Sequence, residues 1–262
     1  MCVLGFENTD CRLAIAQDQS FFVSASHDGT SKVWELRGLE SAVDLKSVLT
    51  YHGQNKNRVN DVTMMENSHS VATAGSDGST HVWRIDMVGG YSSADGEGMD
   101  PSKRVYYETG RVRGSTIVKT FAPKEGENLC VSHFNTDSAS ILMCGTQGGV
   151  VHAWDLRSST EPFALRLKPE LGYLSSMAMG TDRNWMVVGT SRGFVGLWDI
   201  RYQMMVKLYH HSSASPIHRL ATCHTKLPQD TSSSSVVRPY IFVAAGQVSP
   251  LWEQAFGGAK RA

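Results

Sequence analysis

The sequence predicts an all-β fold built from small repeated antiparallel sheets, the architecture of a partial β-propeller. A sequence motif recurs in which a short apolar run is followed by a turn rich in Gly, Asp and Ser and then by a second run that ends in tryptophan. Recurrence at a fixed offset is the mark of a repeat fold, and short runs between turns indicate antiparallel strands. The tryptophan always follows the turn glycine by five residues, in the pairs Gly29 and Trp34, Gly78 and Trp83, Gly149 and Trp154, and Gly193 and Trp198.

Each copy of the motif predicts one blade. The Asp28-Gly29 and Asp77-Gly78 pairs suit tight hairpins, because glycine accepts positive φ and aspartate bonds the nearby backbone. This turn-to-tryptophan pattern is typical of WD repeats, so residues 1–262 are predicted to form one partial WD-repeat propeller with four clear blades and one incomplete blade. The predicted blades cover about residues 12–52, 59–85, 130–167, 174–209 and, incompletely, 217–252.

The spacing of the tryptophans is interrupted once. Trp34 to Trp83 is 49 residues and Trp154 to Trp198 is 44, whereas Trp83 to Trp154 is 71. Residues 87–117 are therefore predicted as a flexible interval or a degenerate blade, since they contain a polar stretch rich in Gly, Ser, Asp and Glu. The serine-rich residues 228–238 are predicted as a second flexible loop.

Composition excludes several classes of function. The formal net charge is zero, which gives no electrostatic case for binding nucleic acid. No apolar stretch approaches the roughly 20 residues of a spanning helix, so no direct membrane insertion is expected. The five cysteines are odd in number and include no C-x-x-C pair. We therefore expect a reduced, cytoplasmic protein with no structural zinc, no other metal and no cofactor.

WD-repeat blades commonly carry a buried hydrogen-bonded set, formed by a His before the first strand, a Ser or Thr on the second, an Asp in the turn and the Trp of the third. The predicted members are His52, Thr73, Asp77 and Trp83 in blade two, Ser24, Asp28 and Trp34 in blade one, Trp154 and Asp155 in blade three, and Trp198 and Asp199 in blade four. Such a set resembles a Ser-His-Asp triad. In blades three and four Cys144 and Val188 replace the hydroxyl. A catalytic device is not expected to change in this way from blade to blade, so we interpret the set as structural.

Two tetrads offer candidate binding residues, Trp154-Asp155-Leu156-Arg157 and Trp198-Asp199-Ile200-Arg201. In one interpretation each Arg pairs with the Asp of its own blade and ends the strand. In the other, the arginines dock a partner, because the guanidinium is a rigid donor fork that is enriched at interfaces. The candidate protein-binding residues are Arg157, Arg201 and Tyr202.

Three segments, residues 145–159, 189–203 and the early block 21–34 with 52–61, resemble the C-terminal propeller of the protein-kinase-like regulatory subunit of class III phosphatidylinositol 3-kinase. The resemblance implies a scaffold that holds the lipid-kinase catalytic subunit and coiled-coil accessory subunits at endosomal, vacuolar and autophagic membranes. That family's kinase-like domain, helical repeats and lipidated N-terminus have no counterpart in the 262 residues. We therefore expect a non-enzymatic chain, either a fragment or an incomplete gene model.

Two other functions remain open at this point. Paired WD-x-R endings also resemble those of substrate-receptor subunits of cullin ubiquitin ligases. Some propellers are enzymes that act at the central channel, although no carboxylate pair or metal cluster in the sequence favours that chemistry.

Overall fold

A computed structural model describes eight stretches of the chain, residues 11–36, 47–54, 56–89, 104–108, 117–212, 214–225, 238–246 and 251–254. They form antiparallel sheets joined by short turns, which confirms the predicted all-β, partial propeller of WD-type blades. The chain divides into two compact units, residues 1–144 and 145–262, and the boundary falls within a strand of blade three. The described part includes two short 3₁₀ helices, Pro123–Glu125 and Pro169–Leu171, and no helix in it is long and apolar enough to cross a bilayer.

Blades one and two lie in the first unit. Blade one is a four-stranded sheet in chain order, with strands β1 (Cys11–Ile15), β2 (Phe21–Ser26), β3 (Ser31–Glu35) and β4 (Leu49–Tyr51). Blade two has five strands, β5 (Val59–Met64), β6 (Ser70–Gly75), β7 (Ser79–Gly89), β8 (Arg104–Glu108) and β9 (Ile117–Thr120).

Blades three, four and five follow in the same pattern. Blade three consists of β10 (Asn128–Asn135), β11 (Ser140–Thr146), β12 (Val150–Asp155) and β13 (Thr160–Arg166). Blade four consists of β14 (Leu174–Met179), β15 (Trp185–Thr190), β16 (Phe194–Asp199) and β17 (Met204–His210). Blade five has three strands in the described residues, β18 (Ile217–Thr225), β19 (Arg238–Ala245) and β20 (Leu251–Gln254).

The repeated motif corresponds to the central hairpin of blades one to four. All four tryptophans lie on third strands, Trp34 in β3, Trp83 in β7, Trp154 in β12 and Trp198 in β16. The turn glycines share a positive φ, 85° at Gly29, 75° at Gly78, 78° at Gly149 and 79° at Gly193. Only a residue without a Cβ adopts this conformation at no steric cost. In blades one, two and four the tryptophan lies opposite the residue twelve positions before it, which is Phe22, Val71 and Met186 respectively, so these hairpins share one register.

The core of the first unit lies between the facing sheets of blades one and two. Phe21, Val23 and Val33 from blade one are fully buried against Val59 and Trp83 of blade two. Such side chains each contribute about 1.5–3 kcal/mol when removed from water.

In the second unit a comparable cluster joins blades four and five. Val187, Val195 and Leu197 pack against Ile217 and Leu220. In each unit two consecutive sheets thus bury one face against each other, as stacked repeats do.

The long interval between Trp83 and Trp154 contains extra residues between the third and fourth strands of blade two. Strand β7 continues as far as Gly89 and pairs with β8 at its far end, while β9 pairs with its beginning. Residues 90–103 and 109–116 lie outside the described residues, as do residues 228–237 of the second predicted loop. The predicted flexibility of 87–117 and 228–238 therefore stays a prediction.

Candidate protein-interaction surface

Blades three and four end their third strands in the same kind of turn. Asp155 and Asp199 each cap it, because an Oδ1 accepts the backbone N–H two residues later, from Arg157 and Arg201, at 3.0 Å in both cases. Five residues after each tryptophan the backbone has a positive φ, 57° at Ser159 and 53° at Gln203. The aspartate of each tetrad thus shapes the turn that presents the following arginine.

Arg201 forms an ion pair with the aspartate of its own blade. Its Nη2 donates to Oδ2 of Asp199 at 2.7 Å and its Nε donates to Oδ1 at 3.2 Å. The hydrogen bonds from Arg201 lower the pKa of the Asp199 carboxyl below its ordinary value. This two-pronged contact agrees with the first interpretation of the second tetrad, in which the arginine pairs with the aspartate of its own blade and ends the strand. It also holds the guanidinium in one orientation at the surface.

Tyr202 extends the same turn into solvent. Its side chain is 72% exposed, and the Arg201 guanidinium lies 5.5 Å from the centre of its ring. Beneath it Ile200 is buried and its N–H donates to the carbonyl of Asn184, which anchors the turn to the sheet. A fixed cation beside an exposed aromatic ring is the chemistry of a protein-binding anchor.

Arg157 has the same place in blade three. It is exposed, and its backbone N–H is held by Asp155, whose Oδ2 also accepts a hydrogen bond from Ser158 Oγ at 2.6 Å. Both arginines therefore follow third strands of adjacent blades in the second unit. Their role in binding remains a proposal.

The polar set of blade one contains one direct bond to the tryptophan. The indole N–H of Trp34 donates to Ser24 Oγ at 2.7 Å, and Ser24 Oγ in turn donates to the carbonyl of Lys32. Asp28 takes no part in this bond; its Oδ1 accepts the N–H and hydroxyl of Thr30 inside the turn. The aspartate therefore stabilises the hairpin, while the serine satisfies the buried indole.

The set predicted for blade two is not assembled as expected. His52 is exposed, and Thr73 Oγ1 donates to the carbonyl of His81 at 3.5 Å rather than contacting the indole. Asp77 caps its own turn by accepting the N–H and hydroxyl of Ser79. Trp83 instead stacks on the ring of Tyr51, with centroids 4.5 Å apart. Aromatic packing takes the place of the polar set in this blade.

Two buried polar residues near blade two were missed by the sequence analysis. His81 is buried in β7, and its Nδ1 is 2.9 Å from the hydroxyl of Tyr51; burial lowers its pKa. Gln54, two residues after His52, is buried beside Gly75. Gly53, beside Gln54, was the available signal, since the hydroxyl of Tyr51 occupies the space that a Cβ at this position would fill.

A polar cleft of about 470 Å³ lies at one end of blades one and two, and it contains a His–Asp pair. Nε2 of His69 is 3.1 Å from Oδ2 of Asp18, whose other oxygen accepts the hydroxyl of Ser20. The hydrogen bonds from Ser20 are the main reason that the pKa of Asp18 is lowered. Both partners are substantially exposed, so this is a solvated pair that ties two loops together.

Comparison with known proteins gives family models along most of the chain. Residues 103–243, more than half of the chain, match the model described as "Nucleolar protein 10-like, N-terminal domain", which is a β-propeller. Residues 9–35 and 45–84 match "WD domain, G-beta repeat".

Curated relatives extend over nearly the whole chain. "Serine/threonine-protein kinase VPS15" of Arabidopsis thaliana is 36% identical over 251 residues, which cover 94% of this chain. "Probable serine/threonine-protein kinase vps15" of Dictyostelium discoideum is 33% identical over 72% of the chain, and VPS15 of Saccharomyces cerevisiae is 22% identical over 78%. The chain spans 16%, 9% and 13% of the lengths of these relatives.

The matched portion of these relatives is their WD-repeat region, which supports a scaffolding or regulatory role. The family models describe propeller repeats, while the curated relatives are VPS15 kinases that match up to 94% of the chain and are therefore the more specific comparison. The chain therefore belongs to the WD-repeat β-propellers, with residues 103–243 in the family of the nucleolar protein 10-like model, and it corresponds to the WD-repeat region of the VPS15 kinases.

Proposed function

We propose that this chain is a non-catalytic protein-interaction scaffold within the regulatory subunit of a class III phosphatidylinositol 3-kinase complex. Its partners are the lipid-kinase catalytic subunit and the coiled-coil accessory subunits. The complex acts in autophagy and endosome-to-vacuole sorting, and it keeps the chain cytoplasmic, at the surface of endosomal, vacuolar or autophagic membranes. The observation that supports this proposal most strongly is the 36% identity to a VPS15 kinase over 94% of the chain.

The described residues offer a surface suited to this role. Arg201 is held by Asp199 beside the exposed ring of Tyr202, and Arg157 follows the equivalent turn of the neighbouring blade. A rigid arginine next to an aromatic ring loses little conformational entropy on binding. We propose these three residues as the anchors of the scaffold.

The test uses the full-length protein with Arg157→Ala and Arg201→Ala combined. Truncating true anchors should weaken retention of the lipid-kinase and coiled-coil subunits by about thirtyfold or more in affinity. Co-purification followed by quantitative immunoblotting, with binding curves for the isolated subunits, provides the measurement.

Arg166→Ala is the matched control, since Arg166 is exposed at the opposite end of blade three. It should retain the subunits at the level of the unmodified protein. Equal retention in the double variant and the control, with the fold intact, would return both arginines to a purely structural role. Recovery of a cullin ligase's propeller adaptor instead of lipid-kinase subunits would favour the substrate-receptor alternative.

A further inference from the structure

The outer strand of blade four, β17, is exposed and apolar. Met204, Val206 and Leu208 are 54%, 58% and 43% exposed, and Tyr209 is exposed as well. Of the seven residues of the strand only Met205 is partly covered. Soluble proteins seldom leave a run of large apolar side chains in water unless another molecule covers it.

Strand β17 also has an unpaired edge. It is the last strand in its sheet and, within the described part of the chain, pairs only with β16. After an irregularity near its start, its pairing with β16 is regular from Lys207 to His210. Such an edge presents backbone N–H and C=O groups that can accept an additional strand.

The equivalent strand of blade three shows how such an edge is normally protected. In β13, Leu165 is buried and Phe163 is half-buried, and the strand includes Pro162, which has no N–H to donate. Glu161 in the same strand lies 2.5 Å from His152. Both outer strands have the same kind of register shift, so the difference lies in their side chains. Pro162 interrupts the edge of β13, whereas β17 has no proline and its one permanent charge is Lys207.

The charge on β17 indicates the chemistry of its partner. Lys207 is its one residue with a permanent charge, it is exposed, and its Nζ lies 5.1 Å from the centre of the Tyr209 ring. His210 follows at the end of the strand. A segment that pairs with this edge can combine acidic side chains beside Lys207 with apolar side chains against Val206 and Leu208.

We propose that β17 binds an extended segment of a partner protein, rich in acidic and apolar residues, as a fifth strand of blade four. The inference rests on the proposed scaffold function and identifies a second contact of that scaffold. Main-chain hydrogen bonds supply the affinity, and Lys207 and the exposed apolar side chains select the sequence.

The experiment uses the whole chain and two synthetic peptides, one alternating glutamate with valine and one alternating lysine with valine. Amide hydrogen exchange of Met204–His210 and fluorescence anisotropy of the labelled peptides are measured. The acidic peptide should slow exchange in β17 and bind at least about fivefold more tightly than the basic one. Lys207→Glu should reverse that preference, and Val206→Glu, on the same strand, should weaken binding of the acidic peptide.

Three outcomes overturn this inference. They are unchanged exchange in β17 with the acidic peptide, equal binding of both peptides, and self-association of the chain that Lys207→Glu does not alter. If the double variant of Arg157 and Arg201 loses the lipid-kinase subunits while the acidic peptide fails to slow amide exchange in β17, that result rejects the strand-addition site and leaves the proposed function standing. Protection of β17 without any retention of those subunits supports the site and contradicts their identity as partners.

Discussion

Blades one and four contain the same repeated motif, but they differ in whether the indole N–H of its tryptophan has a hydrogen-bond acceptor. In blade one the indole N–H of Trp34 donates to Ser24, which is paired opposite Lys32. In blade four the equivalent position, opposite Gly196, is Val188, and the described residues provide no hydrogen-bond partner for the indole N–H of Trp198. Both tryptophans are nevertheless buried.

The comparison shows that apolar packing, not the polar set, places the tryptophan. A buried N–H without a partner costs about 1–3 kcal/mol, yet blade four keeps the same strand order and hairpin register as blade one. The hydrogen bond in blade one is therefore an addition to a site that packing already defines. This explains why the polar residues change from blade to blade while the tryptophan remains.

The strongest test of this view removes the whole indole from each blade. Trp34→Ala and Trp198→Ala should each lower the free energy of unfolding by about 3–5 kcal/mol, because each leaves a large cavity. Urea unfolding of the full chain, followed by circular dichroism, measures both. A loss in blade one that greatly exceeds the loss in blade four would show that the hydrogen bond dominates.

A second test exchanges a small residue between the two blades. Ala25 in blade one corresponds to Gly189 in blade four, where an added Cβ would lie 2.5 Å from Cγ2 of Ile217. Gly189→Ala should therefore destabilise the protein by about 1–3 kcal/mol through overpacking. Ala25→Gly is the reciprocal control and should cost about 0.5–1 kcal/mol in backbone entropy and about 0.8 kcal/mol for the buried methyl group that it removes. Thermal melts in which Gly189→Ala causes no loss of stability would contradict the close approach of blades four and five.

The third test makes blade one resemble blade four. Ser24→Ala removes the acceptor and leaves the Trp34 indole unpartnered, so stability should fall by about 1–3 kcal/mol. The double variant with Trp34→Phe should lose less than the sum of the two single changes, because phenylalanine has no donor to satisfy. A double-mutant cycle from urea unfolding gives the coupling between the two residues. Strictly additive losses would mean that the Ser24–Trp34 bond contributes nothing.

The position two residues before the tryptophan is Lys32 in blade one, Gly196 in blade four and the buried His81 in blade two. Burial lowers the pKa of His81, and Asp77 only partly opposes this effect. The unfolded chain therefore takes up a proton more readily than the folded one. Stability should be complete above about pH 6.5, the ordinary pKa of histidine, and should fall as the pH drops below it.

Urea midpoints measured across this pH range, in wild type and in His81→Gln, test the sign of the effect. The variant should lose less stability on acidification. His52→Gln is the matched control, since His52 is exposed in the same region of the chain, and it should keep the wild-type profile. An identical profile in all three proteins would show that His81 does not contribute to the pH dependence of stability.

The smallest effect is expected at the surface of blade four. Arg201→Ala should leave the free energy of unfolding unchanged within error, because exposed ion pairs contribute little. The same change should still weaken partner binding if the turn is a docking site. A marked loss of stability in urea would mean that the Asp199–Arg201 pair is structural after all.

The hairpin register was predictable from the sequence because its causes are local. A glycine with positive φ and an aspartate that bonds its own turn act within a few residues, so the glycine-to-tryptophan spacing located all four third strands. Short runs of residues separated by turn signals then predicted the strands on either side. The recurring motif was also part of the resemblance to the family that the relatives confirm.

Only the tertiary structure decided which side chains meet. His52 and Gln54 are two residues apart, yet the first is exposed and the second is buried beside Gly75. Likewise, the exposure of β17 depends on which neighbouring elements cover it. The physical reason is that burial, pKa and edge exposure are properties of residues distant in the chain, whereas turns and strands are set by their nearest neighbours.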